Sequence, residues 1–251
     1  MFSKLKAQFI LSLQQKKFRK QHQLFVIEGE KMVSEATLSE QVTIHSIYAT
    51  QTWIDNNPKT CAKYQQILTI INENELKKIS SLATPNKVLA VVHLPVQQVT
   101  ENIHDFEVAF YLDDLQDPGN AGTILRIAHW FGMSMIFVSN NTVDMYNSKV
   151  VQASMSAIFN LQIVQQDLDE IVRSNKNLHI IGAAMDGKPI QFYSKKKNPT
   201  LIVIGNEGRG LSADVVAHIK EYVAIPKGVN SNAESLNAAI AAGIFAYAFT
   251  N

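Results

Sequence analysis

The chain has 251 residues, of which 46% are hydrophobic, and this is enough apolar mass for a substantial core. Charged residues make up 18% and the net charge is only +1, which excludes global disorder and a polybasic character of the whole chain. The single cysteine excludes an intramolecular disulfide framework and a multi-cysteine zinc site. Neither a secretory signal nor an apolar run long enough for a membrane span is found. We therefore expect a soluble, cytoplasmic protein without membrane contact.

Basic residues are concentrated near the start of the chain. Residues 1–105 carry 12 Lys and Arg against 9 Asp and Glu, whereas residues 106–251 carry 11 against 13. The first 27 residues hold six basic side chains and no acidic one. Such a cluster either forms a solvated helix face or contacts nucleic-acid phosphates. Phe18 lies within it and could stack on a base, although inward packing is the commoner role. The candidates for RNA contact are Lys16, Lys17, Arg19 and Lys20.

The first part of the chain alternates short apolar strands with helices. The runs LFVIEG, TIHSIYAT and VLAVVHL predict strands, and EKMVSEA and KTCAKYQQI predict helices. The polar segment PVQQVTENIHD follows and marks a boundary. We predict a compact N-terminal α/β domain over residues 1–100 and a second domain over residues 106–251.

The second part shows a clearer alternation of strand and helix. Near-continuous apolar runs occur at VAFYL, MIFV, LHIIGAA, LIVIG and YVAIP, and AGTILRIAHWFG, DLDEIVRSN and LSADVVAHIK between them have helical periodicity. This pattern is typical of a parallel sheet covered by helices on both faces. Ligands of such sheets bind beyond the carboxyl ends of the strands, which makes the segments there the candidate site.

Two glycine-bearing segments follow predicted strands. In LDDLQDPGNAGTILRIAHWFG, Pro118 and Gly119 predict a turn, and Asn120 is suited to cap the next helix. Arg126 is charged within an otherwise apolar helix, which is compatible with a side chain extending from the helix edge into solvent. In LIVIGNEGRGLS, three glycines permit close backbone approach to a ligand. Their G-x-x-G-x-G spacing is not the dinucleotide fingerprint.

A third segment, VAIPKGVNSNAESLNAAIAAGIFAYAF, follows the last predicted strand. A polar loop leads into an alanine-rich helix, which we expect Ser235, Leu236 and Asn237 to open. Small residues let this helix approach another backbone closely, in a tight core or a dimer interface. Taken alone, ESLN is equally compatible with a simple helix cap.

In this order, DPGNAGTILRIA, IGNEGRGLS and IP followed by ESLNAAIAA closely resemble the SpoU/TrmH branch of the SPOUT methyltransferases, which methylate the ribose 2′-hydroxyl of RNA. The likeness covers residues 106–251. The segments KKFRKQHQLFVIEGEKMVSEA and TPNKVLAVV resemble, more loosely, the family's L30e-like substrate-binding domain. The resemblance implies an α/β protein whose C-terminal SPOUT domain carries a mostly parallel sheet and a deep trefoil knot. Generic topology rules alone would argue against a knot.

The resemblance further implies that S-adenosylmethionine is the cofactor and that the protein is a homodimer through its C-terminal domain. No metal is expected, because in-line methyl transfer needs none. By matching motif positions, the cofactor-binding residues are Ala183, Gly205, Asn206, Glu207, Gly208, Gly210, Ile225, Ser235 and Leu236. The positions associated with catalysis are Asn120, Arg126, Glu207, Ser235 and Asn237, and Arg126 is also expected to contact RNA.

Two positions depart from the family pattern. Lys227 begins a loop that is longer than in many relatives, and Ser156 stands where glycine is common. These departures alter the loop that the resemblance expects to contact adenosine or RNA, but they remove none of the polar motif residues. Asp113, Asp114 and Asp117 cluster at a strand end and are interpreted as turn-capping residues rather than Mg²⁺ ligands.

The expected activity is S-adenosylmethionine-dependent methylation of a ribose 2′-hydroxyl in structured RNA, and 23S-type ribosomal RNA is preferred over tRNA as the substrate. A literal role of Arg126 as the base is disfavoured because arginine keeps its proton. One alternative is a catalytically silent RNA-binding protein of the same fold, which the joint presence of all five polar motif residues disfavours. Another is a Rossmann-type nucleotide-binding enzyme, which lacks support because no G-x-G-x-x-G follows an early strand.

Overall fold

The computed structural model describes residues 2–95, 106–193 and 198–250. The strands are β1 (Leu24–Glu28), β2 (Ile44–Ala49), β3 (Leu68–Ile70), β4 (Val88–His93), β5 (Val108–Leu112), β6 (Met135–Val138), β7 (Gln162–Gln165), β8 (His179–Pro189), β9 (Thr200–Ile204) and β10 (Glu221–Ala224). The α-helices are α1 (Lys4–Ser12), α2 (Lys16–His22), α3 (Glu30–Leu38), α4 (Gln51–Asn56), α5 (Pro58–Lys63), α6 (Glu73–Ile79), α7 (Pro118–Trp130), α8 (Ser148–Ser154), α9 (Leu168–Ser174), α10 (Ala213–Val216) and α11 (Ala238–Thr250). None of the helices in the described ranges is long and apolar enough to cross a membrane.

The chain divides into two compact units that do not follow chain order. Unit 1 comprises Met1–Val96 together with Asp144–Phe159, and unit 2 comprises Gln97–Val143 together with Asn160–Asn251. The boundary expected between residues 100 and 106 falls almost entirely outside the described residues. The sequence assigns residues 144–159 to the second domain, whereas in the structure they pack within unit 1.

Unit 1 is built on a four-stranded sheet in the order β1-β4-β2-β3. Strand β4 runs antiparallel to β1 and β2, and β3 lies parallel to β2. The central strand β4 is apolar and buried over its first five residues. One face is covered by α1 and α6, whose apolar side chains form a core with the sheet: Ile10, Leu13, Leu76 and Ile79 pack with Leu24, Leu89 and Val91.

Arg19 is a structural residue of unit 1. Its side chain is almost fully buried, Nη1 donates to the carbonyl oxygens of Leu13 and Gln14 at 2.8 and 2.6 Å, and Nη2 pairs with Asp144 at 2.6 Å. The guanidinium thus satisfies carbonyl groups left open at the end of α1 and ties α2 to the segment that precedes α8. This corrects the assignment of Arg19 to the RNA-contacting cluster, because its side chain is buried and both of its terminal nitrogens are bonded inside the unit. The three lysines of the cluster are exposed: Lys16, Lys17 and Lys20.

The segment 144–159 packs closely within unit 1. The ring of Tyr146 lies 5.0 Å from that of Phe25, and α8 contacts β1. Met155, directly after α8, has φ 52° and ψ −128°, a conformation that only glycine adopts readily. The family resemblance placed the common glycine at Ser156, so the unusual backbone lies one residue earlier.

Unit 2 contains a six-stranded sheet in the order β10-β8-β9-β5-β6-β7, and every pairing is parallel. Strands β5 and β9 are buried at all five positions. One face is covered by α9 and α10, where Leu168, Ile171 and Val215 pack on the sheet. Helix α7 contacts β6, and helix α11 contacts β9. The predicted α/β fold with a mostly parallel sheet is confirmed.

The predicted strands VAFYL and MIFV coincide with β5 and β6. Strand β7 was not predicted, because QIVQ is only half-buried and lacks a continuous apolar run. Helix α10 covers only part of the predicted LSADVVAHIK. Helix α11 begins at Ala238, so the residues expected to open it precede it instead.

Candidate active site

Helix α7 begins in a way that leaves the side chain of Asn120 free to act elsewhere. Pro118 occupies the first helical position, and Asp117 caps the helix by accepting from the Asn120 N–H at 2.7 Å. The expectation that Asn120 is the cap is therefore wrong, because Asp117 already fills that position. The interpretation of Asp117 as a turn-capping residue is confirmed.

A hydrogen-bonded relay of three side chains, Asn237–Asn120–Glu207, joins the three motif segments. Asn237 Nδ2 donates to Asn120 Oδ1 at 2.8 Å, and Asn120 Nδ2 donates to Glu207 Oε1 at 3.0 Å. Asn237 Oδ1 accepts from the N–H groups of Ala239 and Ile240 at the start of α11. Capping α11 therefore fixes the orientation of the Asn237 amide, which fixes that of Asn120. Glu207 must then accept the hydrogen bond from Asn120 Nδ2, and it does so as an ionised carboxylate.

Glu207 is also held by the backbone that leads into α7. Its carboxylate accepts from the N–H groups of Gln116 and Asp117 at 3.4 and 3.3 Å. Burial acts to raise the pKa of Glu207, but hydrogen bonds from Asn120 and from these backbone groups outweigh it and lower the pKa below its ordinary value. Glu207 is therefore ionised at neutral pH, as the relay requires.

Two aspartates at the end of β5 anchor the segment 205–212. Asp113 is buried and accepts from the N–H and hydroxyl of Ser212 at 2.7 and 3.1 Å. Burial raises the pKa of Asp113, and the bonds from Ser212 oppose this rise. The carbonyl oxygen of Asp114 accepts from Asn206 Nδ2 at 2.7 Å, and its carboxylate pairs with Arg209. Within the described ranges, no group of three or more His, Cys, Asp or Glu side chains could hold a metal ion.

Gly205 lies where the segment 205–212 folds back on itself and its backbone packs against that of Gly210, a close approach termed the glycine crossing. A Cβ at this position would stand 2.6 Å from the carbonyl carbon of Gly210 and 2.9 Å from the amide nitrogen of Leu211. Asn206 and Gly210 close the crossing with reciprocal backbone hydrogen bonds of 2.9 and 3.0 Å. Gly210 has φ 70°, which favours glycine. Gly205 must therefore be glycine for the segment to fold back on itself, and glycine is the favoured residue at position 210.

The segment 226–237 follows β10 and is exposed at every residue. Ile225, just before it, is half-buried, and Leu236 is 49% exposed although it is apolar. Ser235 lies beside Leu236 in this exposed stretch. Accessible apolar side chains such as these are suited to an adenosine, which needs an apolar contact surface.

Arg126 lies on the exposed face of α7. Within the described residues, no ion pair or hydrogen bond involves its guanidinium. Trp130, one turn further along the same face, is 83% exposed. The neighbouring helix α11 exposes Ile240 and Tyr247, which are 57% and 66% exposed, and the Tyr247 ring lies 6.5 Å from that of Phe131. This apolar face, of Trp130, Phe131, Ile240 and Tyr247, continues across both helices.

The structure thus brings together some of the sequence-predicted site residues and leaves others apart. Hydrogen bonds join Asn237 to Asn120 and Asn120 to Glu207, whereas among the described residues no hydrogen bond joins the exposed Arg126 to this relay. Ala183 is half-buried within β8, and Gly208 lies exposed in the segment 205–212. Sequence reasoning missed the anchoring roles of Asp113 and Asp114. Their position at the carboxyl end of a buried strand was the signal that could have revealed them.

Comparison with protein-family models identifies the family of this chain. The model of the SpoU rRNA methylase family matches residues 107–247, and that of an MRM3-like substrate-binding domain matches residues 4–90. The chain belongs to the SpoU rRNA methylase family. The 23S rRNA (guanosine(2553)-2′-O)-methyltransferase RlmP of Bacillus subtilis is 29% identical over 94% of this chain and 92% of its own length.

Solved structures of the family share the fold over nearly the whole chain. An RNA methyltransferase of the TrmH family from Porphyromonas gingivalis superposes with a TM-score of 0.82 at 30% identity, covering 99% of this chain and 98% of that one. An AdoMet-bound rRNA methyltransferase from Sinorhizobium meliloti superposes with a TM-score of 0.86 at 25% identity, covering 99% and 95%.

Proposed function

We propose that this protein transfers a methyl group from S-adenosylmethionine to a ribose 2′-hydroxyl of RNA, and that its substrate is ribosomal RNA. The relay Asn237–Asn120–Glu207 is the observation that carries the proposal. It joins three motif segments that are far apart in the chain, beside the glycine crossing of Gly205 and Gly210. Membership of the SpoU rRNA methylase family and the rRNA substrate named for the Bacillus subtilis relative support the choice of substrate.

The residues around the glycine crossing fit S-adenosylmethionine. Ile225 and Leu236 offer apolar contact to the adenine, and the glycines of 205–210 let a ligand approach that stretch of backbone closely. When bound, S-adenosylmethionine supplies an electrophilic methyl group on a positively charged sulfur. The relay holds the two cofactor-facing segments in a fixed position, and such positioning lowers the barrier of a two-reactant step.

Arg126 is the residue we assign to the RNA. Its exposed guanidinium is suited to a bidentate contact with a phosphate next to the reacting ribose. The same positive charge stabilises the negative charge that develops on the 2′-oxygen as its proton departs. Arginine keeps its own proton, so the proton passes to water or to a phosphate oxygen.

We also propose that the C-terminal part of unit 2 is knotted and that unit 1 is of the L30e-like type. One close backbone approach between distant segments supports the knot: a Cβ at Gly187 would stand 2.7 Å from the carbonyl carbon of Tyr222, 35 positions further along the chain. An approach of this kind arises where one segment passes tightly against another. An experimental structure with a continuous chain trace would test both assignments.

A homodimer through the apolar face of α7 and α11 completes the proposal. Trp130, Ile240 and Tyr247 are large and exposed on adjoining helices, which is the composition of an interface core. Arg126 shares the face of Trp130, so the partner subunit would border the RNA site. Trp130→Glu should dissociate the dimer in sedimentation experiments and lose activity in a methyl-transfer assay. Val216→Glu, which alters an exposed apolar residue of α10, should show neither effect. A monomeric, fully active parent protein would contradict this interface.

The lysines of α2 are proposed to contact the RNA backbone. Lys16, Lys17 and Lys20 are exposed, and no acidic side chain precedes Glu28 in the chain. Replacing the three lysines by glutamine should weaken RNA binding and flatten its salt dependence, by roughly one unit of slope for each phosphate that the protein ceases to neutralise. An unchanged salt slope would contradict the assignment.

The decisive experiment is methyl transfer from radiolabelled S-adenosylmethionine to total RNA from a strain that lacks the gene. The labelled RNA is sized and its modified nucleoside is identified. Label in a 2′-O-methylnucleoside of ribosomal RNA is the expected result, whereas label in tRNA would overturn the substrate assignment. Binding of S-adenosylmethionine without transfer to naked RNA or to ribosome assembly intermediates would favour a catalytically silent RNA-binding protein.

The role of Arg126 is tested separately, in the same assay. Arg126→Ala and Arg126→Lys should both lose activity, with lysine restoring little because it cannot reproduce the planar fork. Binding of S-adenosylmethionine should be unchanged in both variants. Near-normal turnover by Arg126→Lys would exclude the bidentate contact and leave only a requirement for charge.

A further inference from the structure

Unit 1 carries a cluster of aromatic and imidazole rings on its surface. The ring cluster consists of Phe9 of α1, Phe18 and His22 of α2, His45 of β2 and His93 of β4. The three histidines are exposed and the two phenylalanines are half-buried. Residues from four elements, up to 84 positions apart in the chain, therefore meet at one end of the sheet.

The rings are in mutual contact and form a continuous surface. The centroid of His22 lies 5.1 Å from that of Phe9, edge to face, and 6.5 Å from that of Phe18, with the two planes only 15° apart. His45 lies 6.3 Å from Phe9 and 5.7 Å from His93. Burial, together with the neighbouring His93, lowers the pKa of His45, so its ring is uncharged at neutral pH.

Positive charge borders these rings. Lys17 Nζ lies 5.9 Å from the centroid of the Phe18 ring, and Lys16 and Lys20 are exposed on the same helix. Arg19 takes no part, because its guanidinium is bound inside the unit. Exposed rings are costly to leave in water, and a patch of rings beside lysines matches the two parts of a nucleotide, the flat base and the charged phosphate.

We propose that the ring cluster is a stacking site for an unpaired base of the RNA substrate, while the lysines of α2 contact the adjoining phosphates. A base within a duplex already has both faces stacked on its neighbours and cannot reach the rings, so the ligand is single-stranded or looped-out RNA. The site would let unit 1 distinguish a folded RNA with a loop from a plain helix. The inference rests on the proposed RNA substrate.

The test measures binding by the full-length protein of a short single-stranded RNA that contains one 2-aminopurine, and of the same sequence in a blunt duplex. His22→Ala should weaken single-strand binding on the order of tenfold, the effect of removing one base–ring contact. It should also abolish the fluorescence change that accompanies stacking of 2-aminopurine. Duplex binding should be weaker in the parent protein and insensitive to this change.

Two matched variants separate stacking from other causes. His22→Phe keeps a ring and should bind like the parent, and Gln21→Ala alters the exposed neighbouring residue of α2 and should have no effect. The salt slope should stay unchanged in His22→Ala, because the lysines that face the phosphates are all retained. Unaltered single-strand binding by His22→Ala, an equal loss for duplex and single strand, or a loss in His22→Phe as large as in His22→Ala would each overturn the stacking site.

The assay needs neither S-adenosylmethionine nor turnover, so its result is distinguishable from that of the methyl-transfer experiment. A protein that methylates ribosomal RNA while His22→Ala binds normally would reject only the ring cluster. Selective single-strand binding without any methyl transfer would uphold the ring cluster and reject the catalytic proposal.

Discussion

The segments 205–212 and 226–237 both follow strands of the same parallel sheet, yet they differ in how they are held. The first accepts or donates hydrogen bonds at Asn206, Glu207 and Ser212, and its ends are closed by a backbone crossing. The second is exposed at every residue, and among the described residues it is bonded to the rest of the site only through its last one, Asn237. Both carry residues assigned to the cofactor.

The difference indicates that the two segments have different roles in binding the cofactor. A segment fixed by internal bonds keeps its shape before any ligand arrives, and this preorganisation reduces the entropy lost on binding. An exposed segment with few bonds to its surroundings can shift without breaking many contacts, so it is suited to admit and release cofactor and product. Variants that loosen the first segment should therefore impair the protein more than equivalent changes in the second.

Gly205→Ala should give the largest effect. Its Cβ would collide with backbone atoms of Gly210 and Leu211, which cannot rotate away, so the crossing must open. We expect binding of S-adenosylmethionine to be lost and the free energy of unfolding to fall by about 1–3 kcal/mol, as for an overpacked core. Calorimetry measures the first and chemical denaturation the second.

Gly228→Ala, in the exposed segment 226–237, is the matched control for this experiment. A Cβ there would meet no atom within 4 Å. Binding and stability should both stay close to those of the parent. If Gly205→Ala were equally harmless, the crossing would not be needed for the cofactor site.

Glu207→Gln should have the next largest effect. The substitution replaces a charged carboxylate, which accepts hydrogen bonds from Asn120 and from two backbone N–H groups, with a neutral amide. Loss of charge-assisted hydrogen bonds worth about 1.5–3 kcal/mol should lower kcat/KM on the order of tenfold or more. Glu234→Gln removes the same charge from the exposed segment and should leave kcat/KM unchanged. Equal losses in both variants would contradict the distinction between the segments.

The same carboxylate gives a pH dependence with a definite sign. Because the pKa of Glu207 is lowered in the folded protein, its contribution to stability is complete above the ordinary value of 4.5. That contribution is lost as the pH falls through the lowered pKa. The difference in Tm between the parent and Glu207→Gln should therefore be full near neutral pH and should shrink in acid. A difference that grows on acidification would reverse the sign and refute the relay.

Asn237→Ser distinguishes the role of Asn237 in the relay from its role as the cap of α11. Serine caps helices about as well as asparagine, so the stability of α11 should change by only a few tenths of a kcal/mol at most. Serine is too short to replace the amide that reaches Asn120, so activity should fall severalfold while Tm stays constant. A combined Asn120→Ala and Asn237→Ser variant should lose little more than Asn120→Ala alone, because both remove one coupled unit. Additive losses would show that the two residues act independently.

Part of this arrangement was predictable from the sequence, and the reason for the remainder is physical. Buried strands such as β5 and β6 are recognisable in the sequence as continuous apolar runs. The resemblance of three motifs to the methyltransferase family identified Asn120, Glu207 and Asn237. Contacts between distant segments leave no local pattern. The burial of Arg19 against Asp144 joins positions 125 residues apart, and nothing in the basic stretch around Arg19 distinguishes it from its exposed lysine neighbours.

Met155→Gly should give the smallest effect, and one of opposite sign. In the segment 205–212, glycine stands where the backbone requires it, whereas at Met155 a side chain is held at φ 52° and ψ −128°. Such strain costs on the order of 1–3 kcal/mol, and glycine would relieve it. Glycine also raises the conformational entropy of the unfolded chain, which offsets part of the stabilisation. We expect Tm to rise by about 2–4 °C, the shift of roughly 1 kcal/mol in a chain of this size. Gln23→Gly is the control, because Gln23 has the milder left-handed conformation of φ 55° and ψ 40° at the end of α2 and should gain less. If Met155→Gly lowered Tm, the exposed methionine side chain would contribute more through its contacts than its backbone costs in strain.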